Sequence, residues 1–222
     1  MELKHLGIIA DGNRRWAKAH GLPTIEGHKK GLDVIEELIG AANKSGISYI
    51  TFYVFSTENW GRSNDEVSYI MKLAESRILK YAEKLAKNNA KMLILGSRSK
   101  ISDGLRKSIE KAEKMTADST GITVCFCFNY GGEQEIADAA TLASEKGEIT
   151  PETIRENLYH PEVPNIDMVV RTSGEQRVSG FMLWRAAYSE FMFIDKFFPE
   201  MEASDIKTII SEYERRNRRF GK

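Results

Sequence analysis

The sequence predicts an α/β fold, with a mainly parallel sheet of about six strands covered by helices. Six short apolar runs alternate along the chain with longer segments in which apolar residues recur every three or four positions. Within the runs, apolar residues follow one another directly, as in strands that are buried on both faces. This order of strand and helix favours parallel strands joined by helical crossovers.

The elements can be assigned in chain order. The apolar runs occupy residues 6–10, 49–55, 92–95, 122–128, 166–170 and 191–194. Residues 34–42 and 67–85 have the helical period, and Ser45-Gly46 marks the end of the earlier helix. Side chains that can cap the start of a helix stand at Ser63, Ser102 and Thr150. No linker, repeat or low-complexity segment divides the chain, so we expect residues 1–222 to form one domain.

The composition is that of an ordinary globular protein. The chain has 222 residues, with 32 Lys+Arg against 32 Asp+Glu and 41% hydrophobic residues, which excludes disordered, collagen-like and disulfide-scaffold classes. Because the net charge is zero, we expect no nucleic-acid partner and at most peripheral membrane contact, so that any anion site must be local. The apolar start is too short for a signal peptide. Cys125 and Cys127 lie in one apolar run, and we expect them to be reduced thiols in a cytoplasmic protein.

Polar segments follow four of the apolar runs. In a parallel sheet the carboxyl ends of the strands meet at one edge, here called the carboxyl edge, where ligands bind. Residues 11–16, 56–62, 129–132 and 171–179 supply this edge with five arginines: Arg14, Arg15, Arg62, Arg171 and Arg177. Arginines and free backbone amides are suited to a multiply charged phosphate ester. Such an ester repels the carboxylate of Asp11 unless a divalent cation lies between them, so Asp11 suggests Mg²⁺.

Several common motifs are missing from the sequence. It has no GxGxxG after a strand, no GxxxxGK(S/T), and no GxSxG, HExxH or CxxC. It also has no Asp-Asp pair, so the DDxxD cation clamp of the all-helical prenyl synthases is absent. Arginines, loop amides and one acidic metal ligand remain, which predicts catalysis by positioning and electrostatics.

Four segments and a C-terminal tripeptide form a recognisable set. They are HLGIIADGNRRWAKAHGL with Gly27-His28, FSTENWGR with Glu66, NYGG, DMVVRTSGEQRVSGFMLW, and Arg219-Phe220-Gly221. This set resembles the cis-prenyltransferases, most closely the bacterial undecaprenyl diphosphate synthases. The resemblance implies a homodimeric, Mg²⁺-dependent α/β transferase. Such an enzyme condenses isopentenyl diphosphate onto an allylic diphosphate, such as farnesyl diphosphate, and makes a Z-polyprenyl diphosphate of the undecaprenyl lipid-carrier type.

The resemblance also implies roles for individual residues. Asp11 would bind Mg²⁺ and assist departure of the allylic diphosphate, and Asn59 would be the second catalytic residue. Glu190, which precedes the sixth apolar run, would complete the metal site. The implied substrate-binding residues are Gly12, Asn13, Arg14, Arg15, Trp16, His28, Ser56, Thr57, Glu58, Trp60, Arg62, Arg171, Arg177, Val178 and Ser179.

Simpler interpretations of some of these residues stay open. Asp11 taken alone would be the N-cap of the helix that follows it. The apolar stripe in residues 67–85 would ordinarily be the core-facing side of a helix. Only the resemblance to the family, in which the position of Val54 lines a tunnel for the product, suggests that this stripe lines such a tunnel. Because an amide is a weak base, a phosphate oxygen oriented by Asn59 and Ser56 is a better proton acceptor than Asn59 itself.

Two other functions and several details also stay open. The chain could be a catalytically poor subunit that supports another prenyltransferase, or a nucleotide or phosphosugar transferase of similar architecture. Thr24 stands where the family usually has an arginine at the allylic diphosphate. The sequence leaves undecided the primer, the product length, and whether Glu190 and Arg219 act within or across subunits.

Overall fold

The computed structural model describes residues 2–216, and it has the predicted α/β fold with a six-stranded sheet in that part of the chain. In chain order the elements are β1 His5–Ile9, α1 Asn13–Ala19, α2 Thr24–Lys44, β2 Tyr49–Ser56, α3 Asn64–Lys87, β3 Lys91–Leu95, α4 Asp103–Met115, β4 Thr123–Tyr130, α5 Gly132–Lys146, α6 Pro151–Glu156, β5 Met168–Arg171, β6 Glu190–Phe193 and α7 Ala203–Arg215. Short 3₁₀ turns occupy Thr57–Gly61 and Phe198–Glu200. Each predicted strand is present within two residues of its expected bounds.

The helix boundaries agree with the side chains that predicted them. The hydroxyl of Ser63 accepts a hydrogen bond from the backbone N–H of Glu66 at the start of α3. Ser102 caps α4 in the same way, and Thr150 caps α6. The cap prediction is therefore confirmed at all three positions. Each helix in residues 2–216 is too short or too polar to cross a membrane.

The described part of the chain forms two compact units, and the first contains residues 2–50, 165–179 and 186–216. Its strands β1, β5 and β6 are parallel neighbours, with Ile9 level with Arg171 and Arg171 level with Phe193. Residues that follow Ile9 and Arg171 therefore leave the sheet at the same edge. The buried face of α2, which includes Leu38, belongs to this unit, where α2 packs against α7.

The second unit contains residues 51–164 and 180–185. Its strands have the order β3-β4-β2, and β3 pairs with β4 in parallel. Cys125 and Cys127 on β4 are free thiols with no exposed surface, and burial raises the pKa of Cys125 to about 12. Both thiols are therefore protonated side chains of the core. The expectation that residues 1–222 form one domain stays a prediction.

Candidate active site

The Asp11 carboxylate lies just beyond β1 and is held by two arginines. Its Oδ2 accepts a hydrogen bond from Arg171 Nη2 at 2.8 Å, and its Oδ1 lies 3.3 Å from Arg15 Nη2. Burial raises the pKa of Asp11, but the hydrogen bond and charge of Arg171, with the charge of Arg15, outweigh it and leave the pKa below its ordinary value. Asp11 is therefore ionised at neutral pH, which is the state that a metal ligand requires.

Arg171 is the buried residue of this cluster, since its side chain is only 5% exposed. Its Nη1 donates to the backbone carbonyl of Arg177 at 2.6 Å and to the hydroxyl of Ser179 at 2.8 Å. Its Nε is buried and has no partner. Arg171 therefore joins the end of β5, the 177–179 loop and Asp11 through a single guanidinium, and it keeps one donor unused.

The backbone of Asp11 is fixed by Thr172, a residue absent from the predicted set. The Thr172 hydroxyl accepts from the Asp11 N–H at 2.9 Å and donates to the Asp11 carbonyl at 2.6 Å. Thr172 is fully buried. Its position just after a strand was visible in the sequence, but no pattern in the sequence indicates that the two strand ends exchange these hydrogen bonds.

Gly12 makes a close approach that only glycine allows. Its φ is +103°, a conformation that side chains disfavour. A Cβ built on Gly12 lies 2.1 Å from the hydroxyl oxygen of Ser173 and 2.8 Å from Cδ1 of Phe197. Glycine here permits the loop after β1 to lie against the loop after β5.

A second carboxylate, Glu175, holds the more exposed arginines. It accepts from Arg15 Nη1 at 3.0 Å and from Arg177 Nη1 at 2.5 Å. These contacts, with that of Arg177 the stronger, lower the pKa of Glu175. Arg15, Arg171 and Arg177 thus face two carboxylates, Asp11 and Glu175. Because exposed ion pairs contribute little to stability, an incoming diphosphate can replace Glu175 as the partner of Arg15 and Arg177 at small cost.

The remaining predicted residues of this unit lie on α1 and α2, apart from Val178 in the 177–179 loop. Asn13 is the first residue of α1, and its Oδ1 is buried without a partner. Gly27 of α2 packs on the Asn13 carbonyl, where a Cβ would be 2.0 Å away. The Trp16 ring contacts the His20 ring at a tilt, with ring centroids 4.5 Å apart. The other members are exposed or half-buried, namely Arg14, His28, Thr24 and Val178.

The interpretation of Asp11 as a helix cap is wrong. The N-cap of α1 is Gly12, with no side-chain hydrogen bond to the helix. The carboxylate is instead drawn to the charges of Arg171 and Arg15. A charge-assisted pair with a buried arginine is stronger than one neutral cap bond, so the ion pairs decide the orientation.

Within one chain, Glu190 lies away from Asp11. It is the first residue of β6, not a residue before the strand, and it is level with Leu6 of β1 through Met168. Glu190 is therefore about 10 Å before the carboxyl edge and about 10 Å across from β1. Its carboxylate accepts from Arg216 Nη1 at 3.1 Å. Two oxygen atoms that bind the same Mg²⁺ lie within about 4 Å of each other. An ion bound by both Asp11 and Glu190 would therefore require Glu190 of another subunit.

The second unit carries the other predicted residues in the turn after β2. The backbone N–H of Ser56 donates to Asn59 Oδ1 at 3.2 Å, which orients the Asn59 amide. Arg62 Nη1 donates to Glu66 at 3.0 Å. Burial raises the pKa of Glu58, but hydrogen bonds from its own backbone, Ser56 and Thr57 outweigh it and lower the pKa.

The NYGG segment supports this turn. A Cβ on Gly131 would be 2.5 Å from Thr57 Oγ1, so glycine lets α5 begin directly against the turn. A Cβ on Gly132 would be 2.4 Å from the carbonyl of Gly180. Trp60 Nε1 donates to Asn129 Oδ1 at 2.8 Å, a contact that the sequence does not predict. Arg219 and the C-terminal tripeptide lie outside the described residues.

Comparison with known proteins shows which family the chain resembles over its length. The family model for undecaprenyl diphosphate synthase, a prenyltransferase family, matches residues 9–221. The chain belongs to this family. Isoprenyl transferases from Rickettsia bellii and Neisseria meningitidis serogroup A are 44% and 41% identical over 222 and 221 residues. The alignments cover 99% of this chain in both cases and 98% and 89% of those proteins.

Solved structures show the same fold. A lavandulyl diphosphate synthase from Lavandula x intermedia, in complex with dimethylallyl diphosphate, superposes with a TM-score of 0.95 at 30% identity. A probable undecaprenyl diphosphate synthase from Campylobacter jejuni superposes with a TM-score of 0.86 at 32% identity. Both cover 100% of this chain and at least 99% of their own. The predicted membership in the cis-prenyltransferases is confirmed, and the chain is a prenyltransferase.

Proposed function

We propose that this prenyltransferase condenses isopentenyl diphosphate onto an allylic diphosphate with the assistance of Mg²⁺, and that it makes a Z-polyprenyl diphosphate. The observation that carries the proposal is the ionised Asp11 carboxylate, held at the end of β1 by buried Arg171 and by Arg15. Family membership supplies the reaction class, and the cluster supplies charges suited to a diphosphate.

Magnesium fits these residues only together with a phosphate ligand. Residues 2–216 contain no cluster of three or more metal-binding side chains. Mg²⁺ binds through one or two carboxylates, substrate phosphates and retained waters, so Asp11 alone suffices as the protein ligand. When bound, the ion would neutralise charge that develops on the departing diphosphate. Glu190 of a second subunit is the proposed additional ligand.

The arginines have a separate task at the diphosphates of the two substrates. The Arg15 side chain is 43% exposed and that of Arg177 is 60% exposed, and their ion-pair partners in this structure are Glu175 and Asp11. Arg15 also donates to the Ser173 carbonyl at 3.4 Å. Both guanidinium groups can turn from these partners to phosphate oxygens. Arg171 is fixed, with an unused Nε donor, and presents a preformed charge. A donor that is already in place binds a diphosphate without reorganisation at the moment of reaction. We assign the allylic diphosphate, which departs, to Gly12 and to Asn13, Arg14 and Arg15 at the start of α1. We assign isopentenyl diphosphate to Arg171, Arg177 and Ser179.

The turn after β2 is assigned to the reacting carbons and the proton that leaves. Asn59 is oriented by the Ser56 N–H through its Oδ1. A neutral amide takes up a proton poorly, so Asn59 and Ser56 orient a phosphate oxygen that accepts it. Asn59→Ala should lower kcat much more than it raises KM, measured with labelled isopentenyl diphosphate. An unchanged kcat contradicts this role.

The first half of α3 supports an apolar path for the product. Ile78, Ala82 and Leu85 are buried, whereas Ile70 and Met71 nearer the start are only half-buried. A core-facing helix normally covers its whole apolar stripe. We propose that the uncovered part, with Val54 of β2, contacts the growing chain, and that the product has the undecaprenyl type of length.

An exposed aromatic edge supports the homodimer. β6 is the outer strand in the order β1-β5-β6, and its Phe193 is 37% exposed. Phe191 stacks on Phe193, and Tyr188 nearby is largely exposed. An unpaired strand edge with apolar side chains is typical of a subunit interface. Sedimentation equilibrium measures this directly, and a monomer at every concentration contradicts the proposal.

One assay separates the candidate functions. The purified protein is incubated with farnesyl diphosphate, labelled isopentenyl diphosphate and Mg²⁺, and extractable products are sized by thin-layer chromatography. We expect a polyprenyl product that disappears when EDTA is added. The absence of lipid product from any allylic primer contradicts the proposal and favours a supporting subunit or a transferase of another substrate. Cytoplasmic location stays part of the proposal.

A second arm uses dimethylallyl diphosphate alone. It is included because the Lavandula structure of TM-score 0.95 is described as a lavandulyl diphosphate synthase with this diphosphate bound. The isoprenyl transferases at 41–44% identity favour chain elongation instead. We expect no product without isopentenyl diphosphate, and a product from dimethylallyl diphosphate alone contradicts the proposed reaction.

A further inference from the structure

Asn129, the residue before the end of β4, has an unusual combination of features. Its exposure is 2%, and its φ of +51° lies in the left-handed region. Non-glycine residues rarely adopt this conformation, and asparagine is among those that tolerate it best. A buried amide in such a backbone position needs partners for each of its polar atoms.

The Asn129 side chain has a partner for every amide hydrogen. Its Nδ2 donates to the carbonyls of Ser97 at 2.8 Å and Ser99 at 2.7 Å. Its Oδ1 accepts from Trp60 Nε1 at 2.8 Å, and its own carbonyl accepts from the Ser97 N–H at 3.1 Å. The side chain thus connects the loop after β3 with the turn after β2.

Both sides of this connection are closely packed. A Cβ on Gly96 would lie 2.0 Å from the carbonyl of Phe128, so the loop after β3 is packed directly on β4. The Trp60 ring contacts Phe55 edge to face, with centroids 5.5 Å apart. The indole is therefore fixed at its N–H by Asn129 and along its ring by Phe55. Trp60 is the residue after Asn59 in the same 3₁₀ turn, so fixing the indole also fixes the turn.

We propose that Asn129 is a positioning residue for prenyl transfer, which anchors Trp60, and through it the turn carrying Asn59, to the 97–99 loop. This inference rests on the proposed function, because the role of Asn59 in the turn after β2 is part of it. The two side chains most similar to asparagine do not satisfy these contacts. Aspartate keeps the acceptor for the indole but lacks the two donors, and glutamine is one methylene longer.

Asn129→Gly removes the amide and leaves the left-handed backbone unstrained. Its matched control is Asn89→Gly. Asn89 has nearly the same φ, +52°, and also connects two segments, with its amide paired to Thr120. Asn89 stands before β3, at the end of the strands opposite to Asn129. Both variants lose a bridging amide at a left-handed position, but only Asn129→Gly disturbs Trp60.

Steady-state kinetics and the indole N–H signals are measured for wild type and both variants. We expect kcat of Asn129→Gly to fall about 10- to 100-fold, the range for a displaced catalytic group, with little change in KM for isopentenyl diphosphate. Asn89→Gly should retain the wild-type kcat. The indole N–H of Trp60, identified by its loss in Trp60→Phe, should exchange faster with solvent in Asn129→Gly while that of Trp184 is unchanged.

A combined variant tests whether Asn129 acts through Trp60. Asn129→Gly added to Trp60→Phe should lower kcat no further than the slower single variant, whereas independent effects multiply. If Asn129→Gly does not fold, Asn129→Asp replaces it. That variant keeps the indole acceptor and should lose turnover while the Trp60 signal stays protected, because the 97–99 anchor is lost.

The outcomes separate this inference from the proposed function. Wild-type turnover in Asn129→Gly, or in its aspartate replacement, overturns the positioning role alone. The positioning role is also overturned if the losses of kcat in the two single variants multiply in the combined variant. It is overturned too if the indole N–H of Trp60 exchanges with solvent at the wild-type rate in Asn129→Gly. A wild-type protein and an Asn89→Gly variant that both lack prenyl transfer overturn the proposed function, and the positioning role with it.

Discussion

Gly12→Ala is the substitution whose effect can be worked out most directly from the structure. The added Cβ would lie 2.1 Å from Ser173 Oγ and 2.8 Å from Phe197 Cδ1, so the loop after β1 must move away from the loop after β5. The backbone φ of +103° adds a separate cost, because alanine disfavours this region. Asp11 and Asn13, on either side of Gly12, move with the loop.

Two terms give the expected size of the effect. A left-handed conformation costs a non-glycine residue about 1–2 kcal/mol. Overpacking by a methyl group costs about 1–3 kcal/mol. The free energy of unfolding should therefore fall by about 2–5 kcal/mol, which lowers Tm by roughly 4 to 20 °C for a chain of this size. Because the loop carries Asp11, we expect prenyl transfer to fall about 100-fold as well.

Thermal unfolding followed by circular dichroism measures the stability, and Gly40→Ala serves as the control. Gly40 lies in α2, and a Cβ there has nothing within 4 Å. Alanine is about 1 kcal/mol better than glycine in a helix, so this variant should be slightly more stable than wild type. An equal Tm for Gly12→Ala and wild type, with full activity, refutes the close packing of the two loops.

Three further perturbations test other parts of the account. Burial raises the pKa of Asp11, but the hydrogen bonds and charges of Arg171 and Arg15 outweigh it and hold the folded-state pKa below its ordinary value. The ion pairs therefore stabilise the fold above the ordinary pKa of an aspartate, and this contribution is lost as the pH falls through the folded-state pKa. The free energy of unfolding in urea should therefore fall less for Asp11→Asn than for wild type as the pH is lowered from 5 to 3. An equal fall in the two proteins contradicts the ion pairs. Glu135→Gln leaves fully buried Arg185 without its counter-ion and should cost about 3–5 kcal/mol. The control Glu133→Gln, which is exposed in the first turn of the same helix, should cost only about 0.3–1 kcal/mol. Equal urea midpoints for the two variants contradict this. Val54→Ala should lengthen the product in chromatography, and an identical length contradicts the tunnel.

The strands and caps could be predicted because local sequence determines them. The run 122–128 is apolar at nearly every position, and the structure buries all of β4 there. Ser63, Ser102 and Thr150 cap helices through hydrogen bonds to residues only three positions further along the chain. Such short-range patterns keep their meaning whatever the tertiary fold.

The pairing of charges and amides could not be predicted because it joins distant positions. Arg171 and Asp11 are 160 residues apart, and Trp60 and Asn129 are 69 apart. The sequence placed Asp11 and Arg171 at one edge but did not indicate that they bond to each other. It also gave no sign of the Glu135–Arg185 pair, since both residue types are usually exposed.

The most direct test is a crystal structure with isopentenyl diphosphate, a non-reactive thio analogue of the allylic diphosphate and Mg²⁺. The account predicts a magnesium ion in contact with the Asp11 carboxylate and with a diphosphate oxygen, beside a guanidinium of Arg171 or Arg15. A fully occupied complex in which the Asp11 carboxylate is remote from the metal and from every phosphorus atom would contradict it.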